Sequence, residues 1–332
     1  MSGAEGFVGI DLGGTKIRGI LADGEGRILA SRLEPTGAGR GSEAVFETLA
    51  SIAASLVEEG RAAGRLPRSV GVGAPGPLDA ERGIILVTEN LPFVDFPLGP
   101  SLEARLGLPV KLDNDGCAAA MGEYLYGAGR GADPLVYVTA STGIGGGAVI
   151  GGRPLRGRGS NALEVGHMTL LPDGPACKCG NRGCAEALAS GTAIAARAEE
   201  AVLAARSGGR PTSLSSCPRL GAEEVFREAG RGDAVAELIA SEALAYLGIC
   251  VANLATIFDP EIIVIGGGLC RSGERLFEAV RLAVRSRCSK AVSGSLRILP
   301  AGLGGDSGAL GAAALGHFSP SGAKNDIAEA AH

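Results

Sequence analysis

A chain of 332 residues, 45% hydrophobic and 20% charged, has ample material for a core and exceeds the usual single-domain size, so two domains around a cleft are expected. A net charge of -5 and a pI near 5.4 give no basic footprint for nucleic acid or for an acidic membrane surface. The opening MSGAEG has neither a basic nor an apolar leader region and no apolar run approaches membrane-span length, so a cytoplasmic protein is expected, with its eight cysteines reduced or metal-bound.

The apolar run FVGID breaks at Leu12-Gly13-Gly14-Thr15-Lys16 and resumes as IRGILAD before the turn Gly24-Glu25-Gly26, which reads as strand, glycine turn, strand, turn. Residues 42–64 have helical spacing behind a serine cap, with Glu43 in the first turn. SVGVGAPGPLD reads as a buried strand leaving into a Pro/Gly corner, Asn90-Leu91-Pro92 as loop, and Ser101 to Leu106 as a short helix. PVKLDNDGCAAAMGEYLYG is a strand running into a helix, with Asn114 and Asp115 at the junction. Asp115 is either the helix cap or a carboxylate held at a strand end for proton abstraction, and Asp113 competes for the second role.

LVYVTAS repeats the first pattern: it breaks at Thr142-Gly143-Ile144-Gly145-Gly146-Gly147 and resumes as AVIGGRPL. Two glycine hairpins opening two halves of one chain predict duplicated α/β domains. Backbone N–H groups in such turns can converge on phosphate oxygens, and Asp11 and Lys16 flanking the first turn favour that use. Neither turn is a Walker loop or a Rossmann fingerprint.

LEVGHMTLLPDGPACKCGNRGCAEA, from Leu163 to Ala187, sets His167 upstream of Cys177, Cys179 and Cys184 among residues that make only turns. Three thiolates and one imidazole complete the tetrahedral shell of structural zinc, and C-x-C followed by C-x4-C suits a disulfide poorly. Such a closed shell leaves no position for an activated water. Glu164 and Glu186 stand just outside the ends of the ligand set. Beyond it, Ala187 to Ser207 and residues 222–257 read as helical, with a polar linker between them. DPEIIVIGGG delivers Gly266-Gly267-Gly268 to a helix over 272–286, a place for nucleotide approach. GGDSGALGAAALGHF is a small-residue helix suited to packing between domains, and the tail from 319 reads as disordered.

DLGGTK at 11–16, the Asn114-Asp115 pair, EVGH at 164–167 and CKCGNRGCAE at 177–186 carry a likeness: the chain resembles the ROK family of sugar kinases from Phe7 to about His317. The resemblance implies the two-domain actin/hexokinase-like (ribonuclease H-like) α/β fold with an interdomain cleft. Its small domain would be 1–115 plus about 304–318, and its large domain 116–303 with the zinc loop 163–187. It implies ATP held by Asp11, Gly13, Gly14, Thr15, Lys16, Thr142, Gly143, Gly266, Gly267 and Gly268, with Mg2+ held by Asp11 through water. Asp115 matches the family's catalytic base, and Asn90, Asn114, Glu164, His167 and Glu186 match its sugar contacts, His167 serving zinc and sugar with opposite ring nitrogens.

The implied reaction is ATP-dependent phosphorylation of the 6-hydroxyl of a hexose, glucose first, with N-acetylmannosamine or N-acetylglucosamine as the alternative and a homodimer as the assembly. The family's sugar-responsive repressors carry an added helix-turn-helix domain, for which the start of the first strand at Phe7 leaves no room. Two departures stand out. Cys117 replaces the family's frequent Asn after the base, and Ala162-Leu163 replaces Ala-Gly before Glu164.

Overall fold

The computed structural model describes residues 4–317 with the exception of Glu89, so the tail expected from 319 lies outside the described residues. The chain divides into two compact units. The first takes in the chain up to Tyr126, the segment Arg156–Asn161 and the chain from Asp306; the second is Gly127–Leu155 with Ala162–Gly305.

The first unit begins with strands β1 (Glu5–Leu12), β2 (Lys16–Ala22) and β3 (Ile28–Pro35), followed by helix α1 (Ser42–Ala62) and strand β4 (Leu66–Ala74). Three short strands, β5 (Leu78–Asp79), β6 (Ile84–Val87) and β7 (Val94–Phe96), pair as a small antiparallel sheet, with the expected Asn90-Leu91-Pro92 loop between β6 and β7. Helix α2 (Leu98–Leu106), strand β8 (Val110–Asn114) and helix α3 (Asp115–Leu125) complete the stretch. The main sheet runs β3-β2-β1-β4-β8, antiparallel across β1–β2–β3 and parallel across β1–β4–β8. Side chains alternate across a strand, so Val8 and Ile10 of β1 join Leu49, Ala53 and Leu56 of α1 in one core, while Gly9 faces the other way. The serine cap expected for α1 is not used: Ser42 is already helical, and Gly41 is the cap at φ 92°.

In the second unit, strands β9 (Leu135–Ala140), β10 (Ile144–Ile150) and β11 (Arg153–Pro154) precede helices α4 (Ala185–Ala189), α5 (Gly191–Arg206), α6 (Ala222–Gly230) and α7 (Ala234–Phe258). Strand β12 (Ile262–Gly266), helices α8 (Glu274–Arg287) and α9 (Lys290–Ser295) and strand β13 (Arg297–Pro300) follow. The sheet order β11-β10-β9-β12-β13 repeats the first sheet strand for strand, hairpin and parallel pairs included, which is the duplication foreshadowed by the two glycine hairpins.

Two helices expected to be continuous are broken by caps. Ser190 ends α4 and starts α5, its hydroxyl accepting from Ala193 N–H at 3.1 Å, and Asp233 starts α7 by accepting from Val235 and Ala236 N–H at 2.9 Å. Helix α7 also corrects the reading that no apolar run approaches membrane length. Its 25 residues and mean hydropathy of 1.7 pass by length and composition, yet half of that stretch is buried inside the protein, where Leu244, Leu247, Val251 and Leu254 belong to the unit's core.

Helix α10 (Ser307–His317) belongs to the first unit, and its small residues allow close packing there. A Cβ on Gly71 would run into the Ala312 carbonyl, and one on Gly9 into that of Ala309, so the helix lies directly on β4 and β1. It meets α3 equally closely, Gly311 against Ala118 and Ser307 against Gly122 and, at 2.8 Å, Glu123. That packing keeps α3 in the first unit, whereas the sequence reading begins the large domain at 116.

Candidate active site and metal loop

The β1–β2 turn of the first unit is closed by a 3.1 Å bond from Gly13 N–H to the Lys16 carbonyl. Thr36 straps it from outside: its buried hydroxyl donates to the Gly13 carbonyl at 2.6 Å and its N–H to the Thr15 carbonyl at 3.0 Å. Nothing in the local sequence singles Thr36 out. Asn90 reaches the same turn, since a Cβ on Gly14 would stand 3.0 Å from the Asn90 Cβ. Thr15 and Lys16 are exposed at its tip.

At the β8–α3 junction the capping question is settled in favour of Asn114. Its Oδ1 accepts from Gly116 N–H at 2.9 Å and from Cys117 N–H at 3.4 Å, which releases Asp115 from that duty. The Asp115 side chain reaches solvent, and its Oδ1 takes a 2.8 Å bond from Gly116 N–H. Loss of hydration among the surrounding protein nevertheless pushes its carboxyl above the ordinary range, outweighing that bond. Asp11 is raised to about 6, first by burial and then by the charge of Asp115, with Lys16 and Arg18 opposing. Arg18, opposite Asp11 in the β1–β2 register, is itself ion-paired to Asp306.

Asp113 does not compete for the base. It is 1% exposed, Arg156 donates to its Oδ2 through Nε at 2.8 Å and Nη2 at 2.7 Å, and Oδ1 accepts from Asn114 N–H at 2.9 Å. Burial raises its pKa and Arg156 resists the rise. Cys117, at the first departure from the family pattern, is buried in α3.

In the second unit the β9–β10 turn is locked to the start of α5. Gly191 N–H donates to the Ser141 carbonyl at 2.7 Å, and the Thr192 hydroxyl to the Thr142 carbonyl at 2.8 Å. Glu186 closes the same turn from the metal loop, accepting from Ile144 N–H at 2.9 Å and lying against Gly143. Thr142 and Gly268 share a cavity of about 770 Å³ with Thr192, Phe226, Arg271 and Arg275. Of the other two glycines of the expected triplet, Gly266 is buried in β12 against the Tyr137 hydroxyl, and Gly267, exposed and at φ 93°, lies on the Ala140 carbonyl. They are glycine because β9 passes too close for a Cβ.

His167 and the three thiols come together, their ligand atoms all within 4.8 Å of one another. Cys179 and Cys184 Sγ are 3.7 Å apart, and Cys177 Sγ is 3.8 Å from His167 Nδ1. Tetrahedral zinc with bonds of about 2.3 Å to sulfur sets sulfurs about 3.8 Å apart, so the donor set fits that ion. With Nδ1 on the cluster, Nε2 is left for another partner. Glu164 is exposed beside it, and the preceding Leu163 takes φ 64°. That is the left-handed conformation glycine adopts most readily, and the leucine side chain packs against the unit's core, compensating for a strain of about 1–2 kcal/mol.

The ROK family profile matches residues 7–318. Glucokinase from Thermotoga maritima is 38% identical over 310 residues, 93% of this chain and 96% of that protein. Among solved structures, the ROK hexokinase from Thermus thermophilus superposes with a TM-score of 0.78 at 41% identity, covering 93% of this chain and 97% of the other. The ROK glucokinase from Streptomyces griseus in complex with glucose and AMPPNP superposes with a TM-score of 0.76 at 35% identity, covering 93% and 98%. Likeness of this extent, on a chain with two matching glycine-hairpin sheets and a Cys3His loop, makes it a member of the ROK family.

Proposed function

We propose that this chain is an ATP-dependent glucokinase that transfers the γ-phosphoryl group to the 6-hydroxyl of glucose. The observation that carries the reading is likeness to glucokinases over more than nine-tenths of the chain at 35–38% identity. Asp115 is the base: freed from capping by Asn114 and with its basicity raised, it accepts the hydroxyl proton as the oxygen attacks phosphorus. Asn90, Asn114, Glu164, His167 and Glu186 hold the sugar hydroxyls. A sugar held in attack geometry supplies much of the rate, because the phosphoryl transition state asks the protein for positioning and charge more than for covalent chemistry.

Backbone N–H groups of the turns at Gly13-Gly14-Thr15 and Thr142-Gly143 receive the phosphates, with Lys16 adding a cation, and the cavity at Thr142 and Gly268 takes the nucleoside. Mg2+, which Asp11 would hold, neutralises the β- and γ-phosphate oxygens when bound. His167, Cys177, Cys179 and Cys184 would hold a structural zinc, and His167, bound through Nδ1, would then present Nε2 to a sugar hydroxyl in one orientation.

ADP release with Mg-ATP across glucose, mannose, fructose, N-acetylglucosamine and N-acetylmannosamine tests the reading. The highest kcat/KM on glucose is expected. Preference for an N-acetyl sugar would reassign the substrate, and no turnover on any of them by folded protein would overturn the kinase reading.

A further inference from the structure

The cavity of about 770 Å³ in the second unit takes part of its wall from α6 and α8. Phe226 of α6 is the one aromatic side chain among its described lining residues. Arg275, in the first turn of α8, lays its guanidinium over that ring, with Cζ 5.7 Å from the centroid. Its Nη2 donates to Glu237 Oε1, in the first turn of α7, at 2.7 Å. A ring and a carboxylate therefore hold one guanidinium, which lines the cavity while its side chain stays 33% exposed.

Arg219, Arg227 and Arg271 line the same cavity. Arg227 is tied to Glu224 and Glu228, but among the described residues Arg275 is the one of the four held by both a ring and a carboxylate. The difference matters because a guanidinium is planar and weakly hydrated, so that it stacks on π faces, and nucleobases use such planes. A plane already fixed loses little rotamer freedom when a base arrives. A phosphate approaching Arg275 would meet the Glu237 carboxylate as well, whereas an uncharged base is not repelled by it. We propose that Arg275 is a specificity-determining residue for the phosphoryl donor: its guanidinium, backed by Phe226 and oriented by Glu237, is the surface on which the nucleobase stacks. This inference rests on the reading of the cavity as the nucleoside site, and it adds the group that tells a nucleotide from a bare phosphate chain.

Calorimetric Kd for Mg-ADP and steady-state KM for glucose test it on Arg275→Met, Arg275→Lys and Glu237→Gln, at a temperature where circular dichroism shows each folded. Arg275→Met, which keeps an unbranched stem over Phe226, is expected to weaken ADP about tenfold or more, the range that loss of a stacking partner costs a base. KM for glucose stays within about twofold. Arg275→Lys keeps the charge without the plane and recovers little of the loss. Glu237→Gln weakens ADP by a few fold, because the plane is less firmly oriented. A phosphate contact would give the opposite pattern, with recovery in Arg275→Lys and tighter ADP in Glu237→Gln. Either of those results, an unchanged Kd for ADP, or equal losses for ADP and glucose would overturn the stacking role. Should Arg275→Met fail to fold, Arg275→Lys is held to the same comparison. Wild-type protein that binds Mg-ADP but phosphorylates no sugar overturns the glucokinase reading and leaves this inference standing, and wild-type protein that does not bind Mg-ADP overturns both.

Discussion

Glu186 accepts a 2.9 Å hydrogen bond from the backbone N–H of Ile144, and this bond joins the metal loop to the second glycine turn. Glu186 stands two residues beyond Cys184, and Ile144 two residues beyond Thr142. A displacement of the loop therefore reaches both a proposed sugar contact and a proposed phosphate turn along a few bonds.

Cys179→Ser is expected to lose zinc and to raise KM for glucose at least about tenfold, as loss of an orienting partner commonly does, with a smaller rise for ATP through the Glu186–Ile144 bond. Metal content by mass spectrometry and glucose affinity by calorimetry read the two effects. Stoichiometric zinc in the variant, or zinc loss with unchanged glucose affinity, would break the proposed link.

Asn114→Ala removes the acceptor of Gly116 and Cys117 N–H groups, and should lower unfolding free energy by about 1 kcal/mol and glucose affinity as well. Asn114→Asp restores the cap. Urea unfolding should then return to the wild-type midpoint while glucose affinity does not; recovery of both would show that Asn114 acts only as a cap.

Asp11 gives the apo protein a pH signature. Its folded pKa of about 6 lies above the ordinary 3.8, through burial first and the Asp115 charge second. The folded state thus favours the neutral acid, and its stabilising contribution is complete below pH 3.8 and lost as pH rises to about 6. Asp11→Asn, neutral at every pH, should gain stability relative to wild type across that window, by about 1–3 kcal/mol above pH 6 after allowing for the partial exposure of Asp11. Urea titrations at pH 4.5 and about pH 7.5 measure the difference. An equal effect at both values would contradict it.

Gly71→Ala forces α10 off β4, because the added methyl meets the Ala312 carbonyl, and should cost at least about 3 kcal/mol or abolish folding. Gly39→Ala, where a Cβ meets nothing within 4 Å, is the control. Equal melting temperatures for the two variants would show that the helix is free to shift.

What the sequence discloses follows the range of the interactions. The two hairpins, the strand-to-helix junction at Asn114 and the Cys3His spacing are local patterns, visible within a dozen or two residues. Thr36 and Arg156 are invisible at that range, because their partners Gly13 and Asp113 lie 23 and 43 residues away. The junction residues also show the limit of residue type alone. Asn114 and Asp115 are equally good caps, and only backbone geometry assigns the cap to one and leaves the other exposed. Gly266 and Gly267 read as glycine for close backbone approach, and one group that approaches them is strand β9, a neighbour far away in sequence. Leu163 reads as a break in the family pattern, whereas the backbone there takes a conformation that glycine adopts readily.

The most direct test of the account is Asp115→Asn assayed with Mg-ATP and glucose, together with glucose binding by calorimetry. A base that contributes only as the proton leaves predicts kcat lower by about 10²–10⁴-fold with glucose affinity within a few fold of wild type. Glucose 6-phosphate formed at near wild-type rate by the variant would contradict the account.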